Sequence, residues 1–248
     1  MDLLRTWLFT VPLMALSTIA CGTVSLVLAL FGSTQRRQIA IGRAWARSLL
    51  WIAGTKVAVE GGDRMDPAEV ENARCVFVSN HLSYMDTPVV FSCLPEFRFL
   101  AKKGLFQIPF LGWHLKTAGH IPVPREDPRA SLKTLSRAAE LIQERGTSLL
   151  IFSEGGRTLD GNLADFKEGA AYLAIKAQAP LVPIALVGTR EILPMGSGVI
   201  HPGHVILRLG SPIPTAGMTL RDRRELTESA RKQIVAMLME RPESADRP

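Results

Sequence analysis

Two residues five positions apart, His81 and Asp86 in "VFVSNHLSYMDTPVV" (76–90), offer the first chemistry in this chain. Val76 to Val78 read as a strand that delivers a histidine to its end. In a regular helix, residues i and i+5 lie about 140° apart around the axis. The pair therefore meets only if His81 sits in a loop and Asp86 opens the next helix. That arrangement suits a general base: the carboxylate keeps one ring nitrogen protonated, and the other nitrogen accepts a proton. The spacing alone is weak, because a helix-capping Asp86 or Ser83 beside a structural His81 would look the same.

A second strand, in "LLIFSEGGRTLDG" (149–161), runs into Glu154, Gly155, Gly156 and Arg157. Glycines let backbone N–H groups approach a ligand, and arginine forks onto phosphate. Lys167 stands at a helix start, where a cation opposes the helix dipole, which favours a ligand role over a structural one. The stretch "FLAKKGLFQIPFLGWHLKTAGHIPVPRED" (99–127) sets Lys102, Lys103, Lys116 and Arg125 around an apolar core. It suits a molecule with a greasy end and an anionic end, although solvated lysines on packed helices give the same pattern. His201 and His204 form a turn without a nearby third metal ligand, and His114 and His120 read as structural. No GxSxG elbow, P-loop or GxGxxG is present.

Short β-rich runs at 56–61, 75–80, 97–102, 120–123, 148–153, 181–188 and 204–210 must position these residues. Helical stretches near 84–92, 105–116, 129–145, 167–178 and 220–240 alternate with them. The alternation predicts an α/β fold, a single mixed sheet flanked by helices. In such sheets, ligands gather at the carboxyl ends of strands, where His81 falls.

The chain has 248 residues and a formal charge of +6, which suggests an anionic partner. Cys21, Cys75 and Cys93 are isolated, so neither a disulfide framework nor a zinc site is indicated. Trp7 to Gly32 contains no charged residue and is long enough to cross a bilayer. A cleaved leader is the alternative, but the run continues well past "TIAC", so a retained anchor is preferred. Arg36, Arg37, Arg43 and Arg47 follow the run, and only Arg5 precedes it. If the run spans, the main domain lies on the cytoplasmic side of the cell membrane. Gln38 to Gly54 reads as an amphipathic helix suited to the headgroup layer, and Pro12 and Gly22 leave room for a re-entrant anchor. The expected organisation is an anchor at 1–54, a main domain at 55–240 and a frayed tail at 241–248. Nucleic acid fits poorly, since the charge forms no aromatic-interleaved stripe.

The ordered set "NHLSYMD", Lys-Lys…Pro…Gly…Gly…Arg, "FSEGGR" and "APLVPIAL" resembles the glycerolipid acyltransferases, and most of all the 1-acyl-sn-glycerol-3-phosphate (lysophosphatidic acid) acyltransferases. The likeness covers about residues 55–215. It implies acyl transfer from acyl-CoA or acyl carrier protein to a glycerolipid hydroxyl, with no metal or other cofactor. By the resemblance, His81 and Asp86 are the catalytic pair. Glu154, Gly155 and Arg157 fall in the third motif, Lys102, Lys103, Gly112, Gly119 and Arg125 in the second, and Val182 and Pro183 in the fourth. The implied roles are base for His81, its orienter for Asp86, and substrate binding for Lys102, Lys103, Arg125, Glu154, Gly155 and Arg157. Backbone N–H groups near Gly155 are the expected oxyanion donors. The expected partners are membrane phospholipid or lysophospholipid and the acyl donor. Ser153 and Gly156 stand where the family more often has Pro and Thr, and Gly104 where Glu is frequent, which bears on the acceptor. The rivals are an acyltransferase for another lysolipid and a non-catalytic membrane-anchored lipid-binding protein.

Overall fold

The computed structural model describes residues 2–62, 74–158 and 161–240. The expected frayed tail, 241–248, lies outside the described residues. The helices are α1 (Asp2–Leu30), α2 (Gln35–Ala53), α3 (Asp86–Cys93), α4 (Leu111–Thr117), α5 (Pro128–Arg145), α6 (Gly169–Ala177), α7 (Thr189–Ile192) and α8 (Arg223–Met239). The strands are β1 (Thr55–Glu60), β2 (Val76–Ser79), β3 (Phe97–Lys102), β4 (Ile121–Val123), β5 (Ser148–Phe152), β6 (Leu181–Val187) and β7 (Gly203–Leu209).

The strands form one sheet in the order β1-β7-β6-β2-β5-β3-β4. All neighbours are parallel except β6 and β7, so β1 and β7 run against the other five. The sheet is mixed, as expected. Its central strands are apolar on both faces because helices cover both. Phe77, Phe97, Leu150 and Ile184 pack on the side of α2 and α3. Val76, Val78, Leu149 and Leu181 face α5, α6 and α8. Helix punctuation follows the sequence closely in α5. Asp127 caps it by accepting from the N–H groups of Arg129 and Ala130, Pro128 takes the first turn, and Gly146 ends it at φ 63°.

Two expectations are corrected. The helix near 105–116 is two pieces, a 3₁₀ turn (Lys103–Gln107) and α4, separated by Phe110 at φ 62°. Leu111 N donates to Pro109 O at 2.7 Å across that residue, a classic γ-turn that no helix accommodates. The amphipathic helix expected in the headgroup layer is instead part of the core. Ile39, Ala46, Leu50 and Ala53 of α2 pack with Val89, Val90 and Phe91 of α3. Its apolar stripe fits a protein face as well as a lipid one, and the sheet offered the closer surface.

α1 is long and apolar enough to cross a membrane, 29 residues with a π-helical turn at Thr6–Thr10. One side is fixed to the protein by polar side chains. Ser25 Oγ donates to Gln38 Oε1 at 2.6 Å and lies 3.0 Å from His114 Nδ1. Trp45 Nε1 donates to Thr18 Oγ1 at 3.0 Å, and Ser17 meets Ser48 at 2.5 Å. Burial pushes the His114 imidazole down to about 4, so it is neutral in this contact. At the other end of α1, Arg5 donates to Ile200 O at 2.6 Å. Leu13, Leu16, Ile19, Val24, Val27 and Phe31 remain exposed on the outer side.

Candidate active site

β2, β5, β3 and β4 are parallel, so their carboxyl ends share one edge of the sheet. That edge gathers the residues singled out by sequence: His81 after β2, Glu154 to Arg157 after β5, Lys102 and Lys103 at the end of β3, and Arg125 after β4.

His81 lies in the loop after β2, and Asp86 is the first residue of α3. Their side chains meet, with His81 Nδ1 2.8 Å from Asp86 Oδ2. The same oxygen accepts from Leu82 N at 2.7 Å and Ser83 N at 2.8 Å, so the loop is wound around the carboxylate. An acceptor on Nδ1 puts the ring proton there and leaves the lone pair on Nε2. Phe152 of β5 stacks on the imidazole, with centroids 3.9 Å apart and planes 11° from parallel. Asp86 is fully buried and His81 nearly so. Burial lowers the histidine's pKa. The hydrogen bond and charge of Asp86 oppose that shift, while Arg157 and Arg125 add to it. The net direction is downward, which favours the neutral, proton-accepting ring.

Arg157 Nε donates to Ser83 O at 3.0 Å, and the guanidinium lies 4.1 Å from the centre of the Tyr84 ring. Arg125 donates one Nη1 hydrogen bond to Gly155 O at 2.7 Å. Burial lowers the pKa of both arginines, so an anion beside them would relieve a desolvation cost. Lys102 is exposed and paired with Glu126 at 3.2 Å, and Lys103 is exposed.

Glu154, expected to bind substrate, has backbone partners on both carboxylate oxygens. Oε1 accepts from His81 N at 2.5 Å, and Oε2 accepts from Ala164 N at 2.9 Å. Both oxygens are engaged by backbone amides, so the side chain ties the His81 loop to the loop leading into α6. The Gly155 N–H closes a turn on Phe152 O at 3.3 Å. Its φ of 75° requires glycine, and a Cβ there would strike the Lys167 side chain at 2.6 Å. Lys167 therefore reaches over the turn from two residues before α6.

Asn80 and Phe152 were not singled out by sequence, and Ser83 only as a helix cap. Asn80 makes two hydrogen bonds to Leu186 of β6, 3.0 Å to its oxygen and 2.8 Å from its nitrogen. It thus extends the β2–β6 pairing by a side chain at the point where the backbone turns away. Ser83 Oγ donates to Leu193 O at 3.0 Å and accepts from Met85 N at 3.1 Å. Their positions flanking His81 in "SNHLS" and preceding Ser153 were the only signal.

Comparison with known proteins agrees with this architecture. Residues 56–187 match the acyltransferase family. A chloroplastic 1-acyl-sn-glycerol-3-phosphate acyltransferase of Brassica napus is 37% identical over 174 residues, 70% of this chain and 49% of its own. The protein of that name from Pseudomonas aeruginosa is 27% identical, with 96% of this chain and 91% of its own covered. The chain spans about half the length of the plant relative. The crystal structure of the 1-acyl-sn-glycerophosphate acyltransferase of Thermotoga maritima shares the fold, with a TM-score of 0.79, 21% identity and 98% of each chain covered. The chain belongs to the acyltransferase family, within the 1-acyl-sn-glycerol-3-phosphate acyltransferase group of glycerolipid acyltransferases.

Proposed function

We propose, with that family membership as the premise, that the chain moves a fatty acyl group from acyl-CoA or acyl carrier protein to the sn-2 hydroxyl of lysophosphatidic acid, giving phosphatidic acid. The observation that carries this reading is the His81–Asp86 contact of 2.8 Å at the carboxyl edge of the sheet. His81 Nε2 takes the proton of the acceptor hydroxyl as its oxygen attacks the thioester carbonyl. Asp86 holds the ring and stabilises the imidazolium that forms. The tetrahedral intermediate collapses, the C–S bond breaks, and the imidazolium returns its proton to the departing thiolate. Arg157 and Arg125, with Lys102 and Lys103 at the same edge, receive the acceptor's phosphate. Glu154 and Gly155 shape the loop that carries Arg157. The apolar outer side of α1 holds this edge at a membrane surface, and the arginines after it favour the cytoplasmic face of the cell membrane.

The test is transfer from oleoyl-CoA and from oleoyl-acyl carrier protein to lysophosphatidic acid, with wild type beside His81→Ala. Transfer by wild type and its loss in the variant are expected. A folded wild type that binds lipid but transfers nothing to any lysolipid would overturn the reading and leave a lipid-binding protein. One observation favours a second acceptor. Gly156 is exposed, with nothing within 4 Å of where a Cβ would sit, so the site has room beside the arginines for a larger headgroup. A competition series among lysolipids separates the two acceptors.

A further inference from the structure

We infer that residues 103–117, the 3₁₀ turn and α4, form a second lipid-inserting element that presses into the bilayer beside the mouth of the His81 site. The inference rests on α1 being membrane-associated and adds to it. Leu105, Ile108 and Trp113 are 38%, 45% and 38% exposed, while Phe106 from the same turn is buried. The segment therefore has an inner and an outer apolar side. It is also tightly made. The γ-turn at Phe110 is a strained conformation for a residue with a side chain, and Gly112 N donates to Ile108 O at 2.7 Å.

The segment docks on the buried side of α1, at Gly22 and Ser25, so the two elements are held together. Phe110 lies against Gly22, where a Cβ would come within 2.5 Å of the Phe110 Cβ. The Trp113 ring meets Phe110 edge to face, with centroids 4.9 Å apart. His114 and Thr117 fix α4 to Ser25 of α1 at 3.0 and 3.2 Å. Lys103 and Lys116 are exposed on the segment and suit anionic headgroups, and a tryptophan with its polar N–H suits the headgroup level. The segment begins directly after Lys102, at the sheet edge that also delivers His81. A lysolipid in the leaflet that faces the domain would then meet the site without leaving lipid.

The test is fluorescence quenching of the full-length protein on phosphatidylcholine–phosphatidylglycerol vesicles with brominated acyl chains. The contributions of Trp113 and Trp7 are read as the differences between wild type and Trp113→Phe or Trp7→Phe. Quenching of both is expected. Quenching of Trp7 without Trp113 overturns the inference while the α1 anchor stands, and would point to a protein partner on this patch. Quenching of neither overturns both. A second variant, Leu105→Ser with Ile108→Ser, is expected to bind the vesicles about tenfold more weakly. Unchanged binding of that variant would also overturn the inference.

Discussion

The catalytic edge and the α1–α2–α4 layer both bury polar side chains, but they satisfy them differently. At the edge the partners are mainly backbone groups. Asp86 accepts from Leu82 N and Ser83 N, Glu154 from His81 N and Ala164 N, and Asn80 pairs with both groups of Leu186. In the helical layer the partners are mainly other side chains, as in Ser25 with Gln38 and His114, and Thr18 with Trp45. Backbone partners fix the path of a loop, and hence the position of a reacting atom. Side-chain partners choose which helix faces which, and leave the apolar sides for lipid. Losses at the edge should therefore appear in turnover, and losses in the layer should appear in stability.

The largest effect should come from Asp86→Ala. It removes the anchor of two amides and of the His81 ring, and kcat should fall by about 10²–10⁴-fold. Near-normal turnover in a folded variant would break the assignment of the pair. Glu154→Ala should come next, with kcat reduced about 10²-fold and the KM for the lysolipid little changed, because a displaced His81 loop misplaces the base. A rise in KM alone would return Glu154 to the substrate and blur the comparison. Ser25→Ala should leave kcat within about twofold and cost roughly 1–3 kcal/mol of stability in detergent, since Gln38 and His114 lose a buried partner. Equal losses of kcat and of thermal midpoint would merge the two regions.

The smallest effect is a shift in pH dependence. Burial disfavours the His81 imidazolium and lowers its pKa from the ordinary 6.5, so the base stays neutral further into acid. The acidic limb of kcat/KM should have its midpoint below that value, and activity should be lost only as pH falls through it. A midpoint above 6.5 would mean that Asp86 outweighs burial at this edge.

The sheet was legible because β-branched runs such as Val76–Val78 are bounded by turn residues, and the His81 pair because five residues are enough for a loop to fold back. The helical layer was not. The stripe of α2 carries arginines and apolar residues that suit lipid or protein equally. Ser17, Thr18 and Ser25 lie in a run that reads as uniformly apolar until α2 and α4 supply their partners. Glu154 looked like a ligand residue because its partners, the amides of His81 and Ala164, come from the backbone, which side-chain patterns do not reveal.

The bond from Arg5 to Ile200 joins residues 195 positions apart. At a synthesis rate of about 5–20 residues per second, Arg5 is made roughly 10–40 s before Ile200. α4 is made about midway through that interval, and the Ile200 loop only at its end. The apolar outer side of α1 is thus made well before the loop that holds its first turn.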